Sequence, residues 1–445
     1  MLKGVSDILL QQYLERTPKS REAFERAKQV LPGGSTREVI FYPPYPLYVE
    51  RGRGCRVWDL DGHEMLDFVN NFLALILGHA HPKIVDVIRS QAAYGTAYSS
   101  PTENEAKLGE AVRARMPSVQ RIRFTNSGSE ATILTLLAAR GFTRRAKIAK
   151  FEGAHHGTNQ AAMVSTNPPL KEAGDPEAPT PVPDGPHIPD YIVENTVVLP
   201  FNKTEASEHL IKKHQKELAA VIVEPILGGA GVIPAKPEFL SSLREVTEKC
   251  DIPLIFDEVI TGFRVARGGA QEHYGITPDL TAMGKNLGGG LPMGAIGGRE
   301  DIMAQFEPMR LPRVFHSGSL NANPLSLGVA LTLLGELTPA LYEQLDVLGR
   351  DAARGLRLIF EQAKIDAQVT QVASLFGVHF TPEDVVDYRS AAGEDAARKY
   401  NFFLSLLMKD VMLSPRGIGC ISAPMDRREV NSLLEATVDS VKYLK

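Results

Sequence analysis

The sequence predicts an α/β fold: a large domain built on a mixed, mostly parallel sheet with helices on both faces, plus a smaller α/β domain. Two observations carry this. From about residue 82 to 300, short apolar runs of strand length alternate with stretches of helical periodicity, the rhythm of a sheet assembled from strand and helix units. Several of those runs end on a polar or charged residue, which puts chemistry at the carboxyl edge of the sheet, where open α/β sheets bind ligands.

The elements follow in order. Up to about Pro32, Leu, Tyr, Phe and Val recur at helical spacing, and Pro32-Gly33-Gly34 stops the pattern. Short β-like pieces come next, Leu47 to Glu50, Cys55 to Asp59 and Met65 to Val69, with Asp61-Gly62 as a turn between the last two. Phe72 to Leu77 is a purely apolar run, suited to a buried strand or turn. The strands of the large sheet are expected at Arg121 to Thr125, Lys147 to Phe151, Asn195 to Leu199, Ala219 to Glu224, Pro253 to Asp257, Leu280 to Met283 and Ala295 to Gly297. Residues 167–190 interrupt the rhythm. Eight prolines with acidic residues between them exclude a helix or a central strand, leaving a disordered surface insertion or a flap over the active site. Helical patterns then cover Leu325 to Leu337, Leu341 to Gln362, Ala391 to Lys409 and Arg428 to Leu444, with a strand over Gln371 to Phe380. The expected domains are residues 1–70, a segment contributing to the small domain and the active-site entrance; 71–322, the large domain; and 323–445, the C-terminal small domain.

Composition narrows the function. A chain of 445 residues is long enough for two or three cores, and a formal net charge of −4 offers no case for nucleic acid. Three scattered cysteines make neither a disulfide framework nor a cysteine-based zinc site, so a reducing cytoplasm is expected. The first 13 residues break their apolar positions with Asp and Gln, unlike a signal-peptide core, and no run approaches membrane-spanning length.

Lys285 is the most informative position. It follows the apolar run Leu280 to Met283 and precedes Gly288-Gly289-Gly290, so the chain delivers one long amine to a strand end. A partly desolvated amine loses proton affinity and becomes a nucleophile towards carbonyls. Its partner is Asp257, at the end of another apolar run, and an Asp and a Lys at neighbouring strand ends are what pyridoxal phosphate chemistry needs. A P-loop is a weak alternative, because that motif needs its glycines before Lys and Ser or Thr after it, whereas here Asn286 follows and the glycines come later. Thr125-Asn126-Ser127-Gly128-Ser129-Glu130 joins a strand to a helix and leaves backbone N–H groups free at the helix's positive end, an anion cradle that reads equally as a helix cap. Gly153-Ala154-His155-His156-Gly157 supplies a flat side chain on which a cofactor ring can stack. Neither this pair of histidines nor Gly78-His79-Ala80-His81-Pro82 has a third ligand spaced for a metal, and no metal is expected.

Taken in order, Asn126 to Ala131, Val223-Glu224-Pro225, Phe256-Asp257-Glu258-Val259-Ile260-Thr261-Gly262-Phe263-Arg264, Gly284-Lys285 with its glycines, and Ser317-Gly318-Ser319 with Asn323-Pro324 resemble the class III aminotransferases, fold type I pyridoxal phosphate enzymes. The resemblance implies that Lys285 binds the cofactor as a Schiff base and then shuttles the proton between substrate carbon and cofactor. It implies that Asp257 pairs with the pyridinium nitrogen and Val259 packs on a ring face. Ser127, Gly128 and Ser129 would bind the phosphate, with Glu224 and His155 also in the cofactor site. Ser319 resembles a phosphate contact given by the other subunit, which implies a homodimer with shared active sites. His155 stands where the family usually has Tyr or Phe, Ser319 where many relatives have Thr, and Leu227 replaces a common polar residue near Glu224.

Within the family, Pro32-Gly33-Gly34-Ser35-Thr36-Arg37 is similar to glutamate-1-semialdehyde aminomutase and, more closely, to the β-phenylalanine type of β-amino acid aminotransferase. The aminomutase has a small polar residue where Arg37 stands. The β-amino acid enzymes have an arginine that binds the donor's carboxylate, and a guanidinium forks onto a carboxylate bidentately. Arg416, in Leu413-Ser414-Pro415-Arg416-Gly417, matches the C-terminal arginine that binds the oxo acid's α-carboxylate. The expected activity is transfer from a β-amino acid to 2-oxoglutarate or pyruvate in a ping-pong cycle. The alternatives are the aminomutase and an ω-amine:pyruvate aminotransferase. Phe41, Tyr42 and Tyr45 read either as pocket wall or as core.

Overall fold

The computed structural model describes residues 4–445. The chain divides into two units: one comprises residues up to His81 with Gln344–Asp384 and Gly393–Lys445, the other Pro82–Glu343 with Val385–Ala392. The expected break at residues 322 and 323 therefore falls after Glu343. Helix Pro324–Glu336 is apolar nearly all round, with Leu327, Val329, Ala330 and Leu333 buried, so it is consumed by the large unit's core.

The large unit is organised by a seven-stranded sheet in the order Arg121–Thr125, Gly294–Gly298, Leu280–Met283, Leu254–Glu258, Leu218–Val223, Lys147–Phe151, Thr196–Leu199. Both antiparallel pairings involve Gly294–Gly298, and all other pairings are parallel. Six strands thus point their carboxyl ends to one edge. Leu218–Val223 and Leu254–Glu258 are buried at every position, the near-continuous hydrophobic run of a strand covered on both faces. On one face, Phe151, Phe201 and Phe239 meet edge to face with centroids 5.4–5.9 Å apart.

The proline-rich segment is folded rather than disordered. Gly174–Asp175 pairs with Ala178–Pro179, and Ser165 N–H donates to the Val182 carbonyl at 2.6 Å. Helix Tyr388–Ala392 fastens it: the Arg389 guanidinium is bidentate on Glu152 at 2.7 and 3.0 Å and also donates to the carbonyls of Ala173 and Gly174, at 2.8 and 2.9 Å. Helix Ala391 to Lys409 of the sequence reading is accordingly two helices, Tyr388–Ala392 and Ala396–Leu407, separated where Asp395 caps the second.

The smaller unit has a four-stranded sheet, Val49–Arg53, Arg56–Asp59, Glu64–Asp67 and Val411–Met412, and a three-stranded one, Gln368–Val372, Leu375–His379 and Ile418–Cys420. The single strand expected over Gln371 to Phe380 is a hairpin turning at Ala373, whose φ of 48° reverses the chain. Tyr42 (8 % exposed) and Tyr45 (3 %) belong to a core with Tyr13, Val57, Met65 and Phe403, whereas Phe41 stays exposed, so the three residues divide between the two readings.

The apolar run after Asn70 is neither strand nor right-handed helix. Asn70, Asn71, Phe72 and Leu73 all have left-handed φ, of 45°, 52°, 53° and 69°. For residues with a Cβ this conformation costs roughly 1–2 kcal/mol each. Asp67 offsets it: its Oδ1 accepts the N–H groups of Val69 and Asn70 at 2.8 and 2.9 Å, while its Oδ2 meets His79 Nε2 at 2.7 Å. Among the described residues no single helix is long and apolar enough to cross a membrane.

Candidate active site

Parallel pairing sets the centre of the site. Asp257 lies opposite Ala282 and Glu258 opposite Met283, so the chain leaves both strands at the same edge, with Lys285 two residues past Met283. Lys285 opens a short 3-10 turn, Lys285–Gly288, with φ 41°, an unusual conformation for a residue with a Cβ. Ser127, His155 and Glu224 follow the carboxyl ends of three other co-directional strands. The sheet thereby gathers residues distant in sequence onto one edge.

Asp257 is 4 % exposed, and each of its carboxylate oxygens has one partner. Oδ2 lies 2.7 Å from His156 Nδ1, and Oδ1 accepts the Val259 N–H at 3.1 Å. Burial lowers the His156 pKa, against the pull of Asp257, so the imidazole is neutral at pH 7 and donates through Nδ1. His156 Nε2 is buried with no hydrogen-bond partner among the described residues. The sequence reading put weight on His155 and passed over His156. The available signal was Asp257 itself, since a carboxylate in an apolar strand needs a donor.

His155 presents an exposed ring, although the protein mass around it, then the nearby His156 and Lys285, hold its pKa down to about 4. It is neutral at pH 7. Its backbone N–H donates to Glu224 Oε1 at 2.7 Å, and Gly228 N–H donates to Oε2 at 3.2 Å. These bonds supply the partners that Leu227, fully buried in the strand Ile226–Leu227, cannot. Burial and the neighbouring Asp257 push the Glu224 carboxyl well above the usual carboxylate range, because two buried acids side by side disfavour a second negative charge.

A buried lysine, also missed in the sequence, steadies the histidine turn. Lys150 is fully buried and donates to the carbonyls of Ala154 and Val164 at 2.9 and 2.5 Å. Desolvation brings its pKa down to about 8, which leaves it largely cationic at pH 7.

The phosphate-type cradle is built by close approach. Ser127 caps the 16-residue helix Gly128–Thr143, its Oγ accepting the Glu130 N–H at 3.1 Å, and Ser129 Oγ accepts the Thr158 N–H at 3.0 Å. A Cβ on Gly128 would stand 2.8 Å from Val259 Cγ1, and one on Gly284 would stand 3.1 Å from Gly128 Cα. A side chain at Gly128 would force Val259 to shift, and one at Gly284 would press on the Gly128 backbone. Gly128→Ala is expected to cost about 1–3 kcal/mol through overpacking, read as a lower denaturation midpoint; a wild-type midpoint would show that Val259 gives way freely.

A family profile described as "Aminotransferase class-III" matches residues 41–418. This chain belongs to the class III aminotransferases. It is 41% identical over 431 residues to glutamate-1-semialdehyde 2,1-aminomutase 2 of Brevibacillus brevis, covering 95% of this chain and 98% of that protein. In structure it is similar to an ω-transaminase from Sphaerobacter thermophilus, with a TM-score of 0.93 at 41% identity over 97% of this chain and 99% of the other. It also resembles a β-phenylalanine aminotransferase from Variovorax paradoxus, with a TM-score of 0.86 at 32% identity over 97% and 95%. Class III aminotransferases use pyridoxal phosphate, amino donors and oxo acids. The residues fit that cofactor: a glycine cradle at a helix N-terminus for an anion, an amine at a strand end, and a buried carboxylate braced by a neutral histidine.

Three further predicted residues are described by their own surroundings. Ser319 is exposed in a segment where Met309, Leu311, Phe315 and Leu320 are also exposed. Arg37 and Arg416 belong to the smaller unit. Arg37 is exposed and lines a cavity of about 590 Å³ with Leu31, Thr36, Glu38 and Phe41. Its Nη1 donates to Asn71 Oδ1 at 2.6 Å, and its guanidinium sits 5.9 Å from the centroid of the Phe72 ring. Arg416 is exposed in the loop before Ile418–Cys420, and its guanidinium has no hydrogen-bond partner among the described residues.

Proposed function

We propose that this class III aminotransferase moves the amino group of a β-amino acid to an α-oxo acid, 2-oxoglutarate or pyruvate. The observation that carries the reading is Arg37: an exposed guanidinium, braced on one side by Asn71 and Phe72, on the wall of an open cavity. A second arginine, Arg416, whose guanidinium has no hydrogen-bond partner among the described residues, would take a carboxylate placed differently from the first. Two arginines suit one site that takes two acids whose carboxylates lie at different distances from the reacting carbon.

In this reading Lys285 would hold the cofactor through its amine and would move the proton at the donor's amine-bearing carbon. Asp257 would supply the negative charge for the cofactor's ring nitrogen, and His156, neutral and donating, fixes its orientation without cancelling the charge. Bound pyridoxal phosphate supplies a ring that accepts the electron pair released at that carbon. Val259 and His155 would pack against the ring, Glu224 supports the His155 turn, and Ser127, Gly128 and Ser129 would hold the phosphate. Ser319 would contribute to the phosphate site of a second subunit, and the exposed apolar side chains of its segment would be covered in such a homodimer.

A second reading, the aminomutase, is favoured by the 41% identity to the Brevibacillus protein along nearly the whole length. Half-reactions separate the two. With β-phenylalanine as donor, Arg37→Ala is expected to raise KM by about 10²-fold, the loss of a charge-assisted carboxylate contact worth roughly 1.5–3 kcal/mol, while 1-phenylethylamine, which has no carboxylate, is turned over as before. Turnover of glutamate 1-semialdehyde without any oxo acid, with β-phenylalanine inert, would replace the first reading by the second.

A further inference from the structure

The left-handed turn Asn70–Leu73 has no evident purpose as packing at its second residue. Asn70 and Leu73 point inwards and are buried, but Asn71 is exposed. Four consecutive residues in a conformation that disfavours side chains are nonetheless held there, by Asp67, by His79 behind it, and by Asn70 Nδ2 donating to the Asp67 carbonyl at 2.9 Å. What the turn achieves is presentation. Asn71 Oδ1 accepts from Arg37 Nη1 at 2.6 Å, and the next ring, Phe72, lies under the guanidinium at 5.9 Å. A right-handed turn of the same residues would send consecutive side chains about 100° apart around its axis in the opposite sense, and this pairing would be lost.

We infer that Asn71 is a positioning residue for substrate selection: with Phe72 it holds the Arg37 guanidinium so that its Nη2 and Nε edge stays free for a donor carboxylate. The inference rests on the reading of Arg37 as the carboxylate-binding residue. Arg carries five N–H donors in a fixed fork; one taken by Asn71 leaves a bidentate edge intact. An amide suits this task better than a carboxylate, which would pair with the arginine and compete with the substrate. The aromatic face adds attraction with no hydrogen bond spent. An arginine on a free surface loses side-chain entropy on binding, and a pre-ordered one loses less.

The test uses the full chain loaded with pyridoxal phosphate. Asn71→Gly is the decisive variant, because glycine adopts φ 52° without strain and the change deletes only the amide. KM for β-phenylalanine is expected to rise about tenfold with kcat little changed, since a uniform binding contact has been loosened, and 1-phenylethylamine kinetics are expected to stay at wild-type values. In the Arg37→Ala background the same substitution is expected to add nothing, the signature of two residues acting through one contact. A wild-type KM in Asn71→Gly, alongside a raised KM in Arg37→Ala, overturns the inference and leaves Arg37 in its role. A wild-type KM in Arg37→Ala overturns the role of Arg37 itself. Asn71→Asp separates positioning from mere packing: it keeps size and turn propensity, and a raised KM for β-phenylalanine with unchanged thermal midpoint supports the inference.

Discussion

Lys285→Ala protein is expected to lose turnover by about 10⁴-fold, the upper end of what a positioned proton-transfer group contributes, and to lack the visible-edge absorbance of a lysine-bound pyridoxal phosphate. The geometry gives the reason. The amine stands at the end of a fully buried strand that is parallel to and in register with the strand of Asp257. Its backbone is held at φ 41° by the turn into Gly288. Lys150, a second lysine whose charge reaches the site, is no rival nucleophile: it is fully buried and donates to two backbone carbonyls. An unchanged absorbance spectrum in Lys285→Ala would remove the residue from its role, whatever the fall in rate.

The second large effect is expected at Asp257. Asp257→Asn keeps shape and retains an acceptor for the Nδ1–H of His156, so the fold is kept, but the buried negative charge disappears. Loss of one preorganised electrostatic contact typically costs about 10²–10³ in kcat, and that is the expected fall at saturating cofactor. Turnover within twofold of wild type would show that the ring nitrogen needs no charge here. The pH behaviour follows from His156. Its pKa is lowered by burial, so the stability carried by the neutral imidazole is complete above the unfolded value of about 6.5 and is lost as pH falls through the lower folded value. Cofactor retention, followed by absorbance after desalting at stepped pH, is expected to hold at pH 7 and fall only on the acid side of the ordinary histidine range. A fall beginning above pH 7 would contradict a neutral, donating His156.

Local pattern was enough for the strands of the large sheet. Arg121–Thr125, Lys147–Phe151 and Leu280–Met283 were legible to the residue: Leu280–Met283 is a short apolar run buried at every position, and the edge strand Arg121–Thr125, which buries only Phe124 and Thr125, is bounded by the turn residues that follow it. The hairpin at Ala373 was not, since Ala at φ 48° carries no turn signal of the kind Gly or Asn gives. Nor was the left-handed turn at Asn70–Leu73, whose apolar residues read as an ordinary buried run while Asp67 and His79, elsewhere in the chain, stabilise it. The domain boundary was misplaced for a similar reason: an all-round apolar helix belongs to whichever core surrounds it.

The sequence by itself determined the fold class, the family and the cofactor, through motifs whose residue types are each tied to a local chemical need: glycine where backbones approach, an acid and an amine at strand ends, serines at a helix start. Only the tertiary structure decided how those groups are supported. His156 against Asp257, Lys150 beneath the His155 turn, and Asn71 against Arg37 are contacts between residues 101, 4 and 34 positions apart in the chain, counting to the nearer Lys150 acceptor. Such partners leave no periodicity or motif behind, because a buried charge can be satisfied by any donor or acceptor that the fold brings within about 3 Å.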